Sequence, residues 1–200
     1  MLSRRLTSAA TVPGACRARA WGAMGAPPLT CWALDVDSNA GVATATLIRA
    51  KASNALTEAC FVELAALFAF LEAQPDVRAV VLAAEGRNFC AGIDLSTLQD
   101  LLRRTKAAHE CPGRQRLALH AAICRFQHAL SSPARYPYPV VCAIQGAAFG
   151  GAIDLCTAAD VRYASRDAKF CVKEVDLVRC AHIAARAGSC AQHRTERSAQ

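Results

Sequence analysis

The sequence predicts an α/β fold. Between residues 31 and 178, short apolar runs of strand length alternate with longer stretches of helical period, the pattern of a sheet covered by helices. Turn residues punctuate these segments at Asn39-Ala40-Gly41, Glu85-Gly86-Arg87-Asn88, Cys111-Pro112-Gly113 and Ser131-Ser132-Pro133. Hydrophobic residues make up 54% and charged residues 20%, so the chain can bury a core and is not disordered by composition.

The elements follow in order. Residues 32–36 alternate, Asn39-Ala40-Gly41 reverses the chain and residues 42–48 return, which predicts a hairpin. Thr57 is placed to cap a helix that runs to about Gln74, where Pro75 stops it. Phe61, Leu64, Ala65, Phe68 and Leu71 fall at helical spacing and form its buried stripe. Residues 77–84 are an apolar run of strand length. Residues 94–106 read as a helix with Leu95, Leu98, Leu101 and Leu102 on one side, broken by Cys111-Pro112-Gly113. A further helix spans roughly residues 115–130. Tyr136-Pro137-Tyr138-Pro139 is a rigid entry to a strand at residues 140–144. Gly146, Gly150 and Gly151 then precede a helix through about Ala158, and residues 161–163 and 168–172 read as strands. After Val178 the pattern collapses into an irregular tail, residues 179–200.

The net charge of +7 sits in the two ends. Residues 1–34 contain four Arg and no acid, and residues 179–200 contain four Arg against Glu196. The segment between them holds 15 Lys+Arg and 15 Asp+Glu. A neutral middle argues against a nucleic-acid face, which needs clustered cations on the folded body. The longest charge-free hydrophobic run, residues 64–71, has eight residues. A membrane span needs about 20, so none is expected. The start is Arg-rich, contains Ser and Thr and lacks acid until Asp35, the composition of a mitochondrial transit peptide. Residues 1–30 are therefore expected to be a transit peptide or a disordered basic tail.

Eleven cysteines, an odd number with no C-x-x-C, point to reduced thiols in a reducing compartment. Cys60, Cys124, Cys142 and Cys156 lie in apolar stretches, where free Cys acts as a small hydrophobe. His109 with Cys111 and His120 with Cys124 are metal-ligand candidates by proximity, but no finger-type spacing occurs. No metal is expected.

Two strand-to-helix turns carry the candidate chemistry. One is Phe89-Cys90-Ala91-Gly92-Ile93-Asp94-Leu95 and the other runs from Gln145 through Gly150 and Gly151 to Leu155. Small residues let the backbone approach a ligand, and the first N–H groups of a following helix have no internal partner. Two such groups aimed at one point make an oxyanion hole. By themselves these glycines equally fit ordinary tight turns.

Taken together, the motifs between Trp32 and Val178 resemble the enoyl-CoA hydratase/isomerase (crotonase) family. Arg49-Ala50-Lys51-Ala52-Ser53-Asn54-Ala55-Leu56 resembles the family's Arg-Pro…Asn-Ala-Leu segment, with Ala50 where Pro is usual. Cys90-Ala91-Gly92-Ile93-Asp94-Leu95 and Gly146…Gly150-Gly151 resemble its two oxyanion segments, and Ala158-Ala159-Asp160-Val161-Arg162-Tyr163-Ala164 fits a further family stretch. Ala91-Gly92-Ile93-Asp94-Leu95, Asp154 and Val172-Lys173-Glu174-Val175-Asp176 are most similar to the Δ3,5-Δ2,4-dienoyl-CoA isomerases. Family hydratases usually carry Glu where Asp154 stands.

The resemblance implies a crotonase-like (ClpP/crotonase) spiral of ββα units over residues 31–178, without the usual C-terminal helical region. It implies an acyl-CoA thioester as substrate, no further cofactor, and a homo-trimer or hexamer. The implied oxyanion donors are the N–H groups of Ile93 and Gly151, with Ala91, Gly92, Asp94 and Gly150 binding substrate. Glu174 is the implied acid/base and Asp154 the second polar group. The family's isomerases carry another catalytic Asp eight positions beyond their Glu, where this chain has His182. The expected function is isomerisation of 3,5-dienoyl-CoA to 2,4-dienoyl-CoA in unsaturated fatty-acid β-oxidation, in the mitochondrial matrix or alternatively in peroxisomes. Enoyl-CoA hydration, and a non-catalytic acyl-CoA-binding fragment or subunit, are the alternatives.

Overall fold

The computed structural model describes residues 27–173. Residues 1–26 of the proposed leader, Glu174, Asp176, His182 and the tail after Val178 lie outside the described residues. At the expected end of the leader, by contrast, Leu29 is packed against the core and Thr30 is bonded to Glu63. Strands β1 (Trp32–Asp37) and β2 (Val42–Leu47) form the expected hairpin, in register from Trp32 opposite Leu47 to Asp37 opposite Val42. Asp37 builds the turn: its Oδ1 accepts from the N–H groups of Asn39 and Ala40, at 2.9 and 3.0 Å. A short 3₁₀ turn at Ala50–Ala52 leads to α1 (Glu58–Glu72) and β3 (Ala79–Ala84). Helices α2 (Leu95–Ala107), α3 (Pro112–Leu130) and α4 (Ser132–Arg135) precede β4 (Val140–Ile144). Then come β5 (Ala147–Phe149), α5 (Gly151–Thr157), β6 (Val161–Ala164) and β7 (Lys169–Cys171).

Among the described residues, the main sheet has five strands in the order β1-β2-β3-β4-β6. All neighbours are parallel except the hairpin. Strands β5 and β7 pair in a second, parallel sheet. Among the described residues, strand β6 lies at the edge, and all four of its residues are exposed. Period-two alternation turns Ala43, Ala45 and Leu47 of β2, Val80 and Leu82 of β3, and Val140, Cys142 and Ile144 of β4 into the core. Phe61, Leu64, Phe68 and Leu71 of α1 pack there too, and Phe61 stacks on Phe126 of α3 at 4.3 Å between centroids. Each such side chain contributes about 1.5–3 kcal/mol by leaving water.

Several local expectations are corrected. Thr57 is the residue before α1, but its hydroxyl makes no capping bond. It faces the thiols of Cys60 and Cys31 instead, at 3.3 and 3.8 Å. Pro112 begins α3; a first-turn N–H has no helical partner, so its loss is harmless there. On α2 only Leu101 of the four leucines is buried, and Leu95 is 65% exposed. Its inward face is completed by Thr97. Glu63 sits within the apolar stripe of α1 because its carboxylate accepts from Thr30 N and Oγ1, Cys31 N and Trp32 N, at 2.9, 2.5, 2.8 and 3.2 Å. It thereby fastens the start of β1 to α1.

Cys60, Cys142 and Cys156 are buried as expected, but Cys124 is exposed, as is Cys111. Burial pushes the Cys90 thiol up to about 12 and also raises Cys60. A hydrogen bond with Cys142, followed by burial, raises Cys156. The N–H groups of Arg114 and Gly113 hold Cys111 below its ordinary value. Iodoacetamide at about pH 8 is expected to alkylate Cys111 before Cys124, because the thiolate is the reactive form. Cys90, Cys142 and Cys156 should react only after unfolding. Peptide mass mapping reads the order, and prompt labelling of Cys142 would contradict this core.

Candidate active site at the ends of the parallel strands

The loops after β2, β3 and β4 leave the same end of the parallel sheet, where α/β proteins place their ligands. Their polar side chains tie them together. Asn54 Nδ2 donates to Glu85 O at 2.8 Å and Asn88 O at 2.9 Å. Asn88 Oδ1 accepts from Ala147 N at 3.1 Å. Gln145 Nε2 donates to Ala84 O at 2.6 Å. Asn54 was legible only as part of a motif, and Asn88 and Gln145 carried no sequence signal beyond their place at strand ends.

Residues 89–94 run between the other two loops. On one side, Phe89 N bonds Gln145 O, Cys90 N bonds Ala147 O and Phe149 N bonds Cys90 O, at 2.7, 3.0 and 3.0 Å. On the other, Ala91 N bonds Ser53 O, Leu56 N bonds Gly92 O and Asp94 N bonds Leu56 O, at 3.0, 2.7 and 2.9 Å. Leu56 and Ile93 thus form a parallel bridge in which Leu56 bonds both neighbours of Ile93. The N–H of Ile93 consequently faces away from Leu56.

The two glycine turns touch. Gly92 has φ +96°, and a Cβ there would lie 2.8 Å from Phe149 O, so only glycine admits this approach. A Cβ on Gly151 would lie 3.1 Å from Ile93 Cγ1. Gly151 is the first residue of α5, so its N–H has no acceptor within the helix. Asp154 lies one turn on and is 8% exposed, on the same helix face as Gly151. Gly150 is buried with a positive φ of 52°, and its N–H bonds Cys171 O at 2.9 Å. Lys173 Nζ, on the segment leaving β7, lies 6.0 Å from the Phe149 ring centroid. Glu174 comes next in sequence, outside the described residues.

Ala91 is exposed beside these turns. Asp94 is the N-cap of α2, and its Oδ1 accepts from Ser96 N at 3.0 Å and Ser96 Oγ at 2.6 Å. The Ser96 hydroxyl holds its carboxyl below the usual range. The unfolded value is about 3.9. The cap therefore stabilises fully above that pH and is lost as pH falls through the lower folded value. Asp94→Ala is expected to lose about 1 kcal/mol near neutrality. Urea unfolding should find the two proteins equal once Asp94 is protonated; a constant gap would deny the cap.

Among the described residues, no group of three or more His, Cys, Asp and Glu could hold a metal. No helix there is long and apolar enough to cross a membrane. A cleft of about 410 Å³ between α1 and α3, lined by Phe61, Ala65, Phe126 and Ala129, includes none of the site residues.

A family model described as enoyl-CoA hydratase/isomerase matches residues 37–185, past Val178. A peroxisomal Delta(3,5)-Delta(2,4)-dienoyl-CoA isomerase of Arabidopsis thaliana is 39% identical over 62% of this chain and 44% of its own length. The mitochondrial isomerase of that name from Homo sapiens is 36% identical over 66% of this chain and 39% of its own. The chain thus spans less than half the length of these curated relatives. An enoyl-CoA hydratase of Shewanella pealeana superposes with a TM-score of 0.64 at 29% identity, covering 75% of this chain and 52% of that one.

Proposed function

The chain belongs to the enoyl-CoA hydratase/isomerase family and has its crotonase fold, and from that premise we propose that it isomerises 3,5-dienoyl-CoA to 2,4-dienoyl-CoA. The observation that carries this is the contact of the Ile93 and Gly151 turns. A thioester carbonyl acidifies the C–H beside it. Loss of a proton from C2 leaves a trienolate whose charge lies on the thioester oxygen and is shared through the diene as far as C6, and return of a proton at C6 leaves the 2,4-diene. The Ile93 and Gly151 N–H groups hold that oxygen, and one such donor is worth roughly 3–4 kcal/mol at the transition state. Gly92 and Gly150 let the backbone come close enough, and Ala91 borders the thioester. Glu174 moves the proton, and Asp154 is the second polar group. Coenzyme A enters as part of the substrate, with no further cofactor.

The relatives' names support this reaction. The hydratase reading draws on the Shewanella pealeana structure, but the residue on α5 is Asp154, where family hydratases usually carry Glu. Conjugation with the thioester raises ultraviolet absorbance, so the purified chain given a 3,5-dienoyl-CoA reports turnover directly. Absorbance should rise with the 3,5-diene and hold steady with a 2-enoyl-CoA. A fall with the 2-enoyl ester would establish hydration instead. Bound ester without turnover of either would leave an acyl-CoA-binding protein.

The relatives are named for both peroxisomes and mitochondria; the Arg-rich, acid-free start favours the matrix here. A fluorescent protein fused to residues 1–34 is expected to enter mitochondria, and a cytosolic fusion would count against that address.

A further inference from the structure

We propose that Asn54 is a positioning residue for the Ile93 donor, an inference that rests on the oxyanion reading of that N–H. Ser53 and Asn54 have φ of 49° and 55°, and no other non-glycine among the described residues has positive φ. Two consecutive left-handed residues carry strain. Such strain persists where the surroundings over-determine it and collects at functional sites. Here the determinant is the Asn54 side chain. Its Nδ2 grips Glu85 O and Asn88 O on the loop after β3, while its own N–H bonds Arg49 O at 3.0 Å.

That grip sets segment 53–56 against the exit of β3. Ser53 O, Leu56 N and Leu56 O then hold residues 91–94, and this pairing turns the Ile93 N–H away from Leu56. Asn54 is 0% exposed, so it acts through backbone and does not touch substrate. Its Oδ1 is buried without a hydrogen-bond partner among the described residues. An unsatisfied acceptor is destabilising, so the two donor bonds are what the side chain contributes. Asn also tolerates the left-handed conformation better than most residues.

The test uses the full chain with a para-dimethylamino cinnamoyl-CoA thioester, whose absorbance shifts to the red when its carbonyl is polarised. Asn54→Gly accepts the φ and deletes the grip. Asn54→Asp keeps the size but presents carboxylate oxygen to two carbonyls. Both are expected to keep Kd within about 3-fold and to lose most of the red shift. With the 3,5-diene, kcat should fall about 10²-fold, the scale of a small misplacement at a reacting centre, with KM little changed. Ser53→Gly keeps the Ser53 carbonyl bond and should keep the shift. If Asn54→Gly does not fold, Asn54→Asp is read by the same criteria. An unchanged shift and kcat in the folded variants would overturn the inference, as would Kd weakening in parallel with the shift. A parent protein that binds the ester with no red shift would overturn the oxyanion reading itself, and this inference with it.

Discussion

Glu174→Gln is expected to lower turnover of a 3,5-dienoyl-CoA by about 10²–10⁴-fold, the usual worth of a positioned acid–base group. Gln keeps the size of the side chain but cannot accept or return a proton. The dissociation constant for the CoA ester should change little, because in the proposed mechanism backbone N–H groups, and not the carboxylate, hold the thioester oxygen. Asp154→Asn should cost less if Asp154 only polarises the diene, and as much if it carries the second proton. Position 182 supplies an independent reading: His182→Ala should leave the rate unchanged if His182 belongs to the tail, and abolish it if His182 replaces the missing carboxylate. Single-turnover absorbance with each variant measures all of these. Full activity in Glu174→Gln would end this mechanism.

Gly146→Ala should be the most destabilising of the small substitutions. Gly146 has φ +58°, and a Cβ there would lie 2.1 Å from Arg87 O and 2.9 Å from Asn88 Oδ1. The left-handed conformation costs a non-glycine residue about 1–2 kcal/mol, and overpacking against fixed atoms adds about 1–3 kcal/mol. The obstacle is backbone from the neighbouring loop, so no rotamer relieves it. A loss of about 2–5 kcal/mol corresponds to a melting point lower by roughly 5–20 °C for a chain of this size. Gly113→Ala is the control. Its Cβ would meet nothing closer than Cys111 Sγ at 3.7 Å, so calorimetry should find it neutral or slightly stabilised. Equal melting points for the two variants would show that the loops after β3 and β4 are not packed as described.

Much of the architecture was written in local periodicity. The hairpin turn at Gly41, the stripe from Phe61 to Leu71 and the apolar runs that became β3 and β4 all follow from short-range rules, because burying one face imposes a period of two or 3.6 on the chain. The glycines of the two turns were legible for the same reason: only a residue without Cβ can hold φ +96° with a carbonyl 2.8 Å from where that Cβ would stand, as at Gly92. The resemblance in motifs extended this to a family, which the match over residues 37–185 establishes.

Long-range packing fixes which face each element offers and which polar groups meet. Strand β5 has three residues and forms by pairing with β7, a partner more than 20 residues away that no local window contains. The leucines of α2 have helical spacing, yet Leu95 and Leu102 are exposed, because helical spacing does not say which side faces the core. Asp94 was legible only as a motif residue implied to bind substrate; that it also caps α2 through Ser96 appears only in the structure. Asn54 binds carbonyls 31 and 34 residues distant. Such bonds exist only after the sheet has brought three loops to one end, so local pattern accounts for most strands, helices and turns, while β5 and the meeting point of the loops come from long-range pairing.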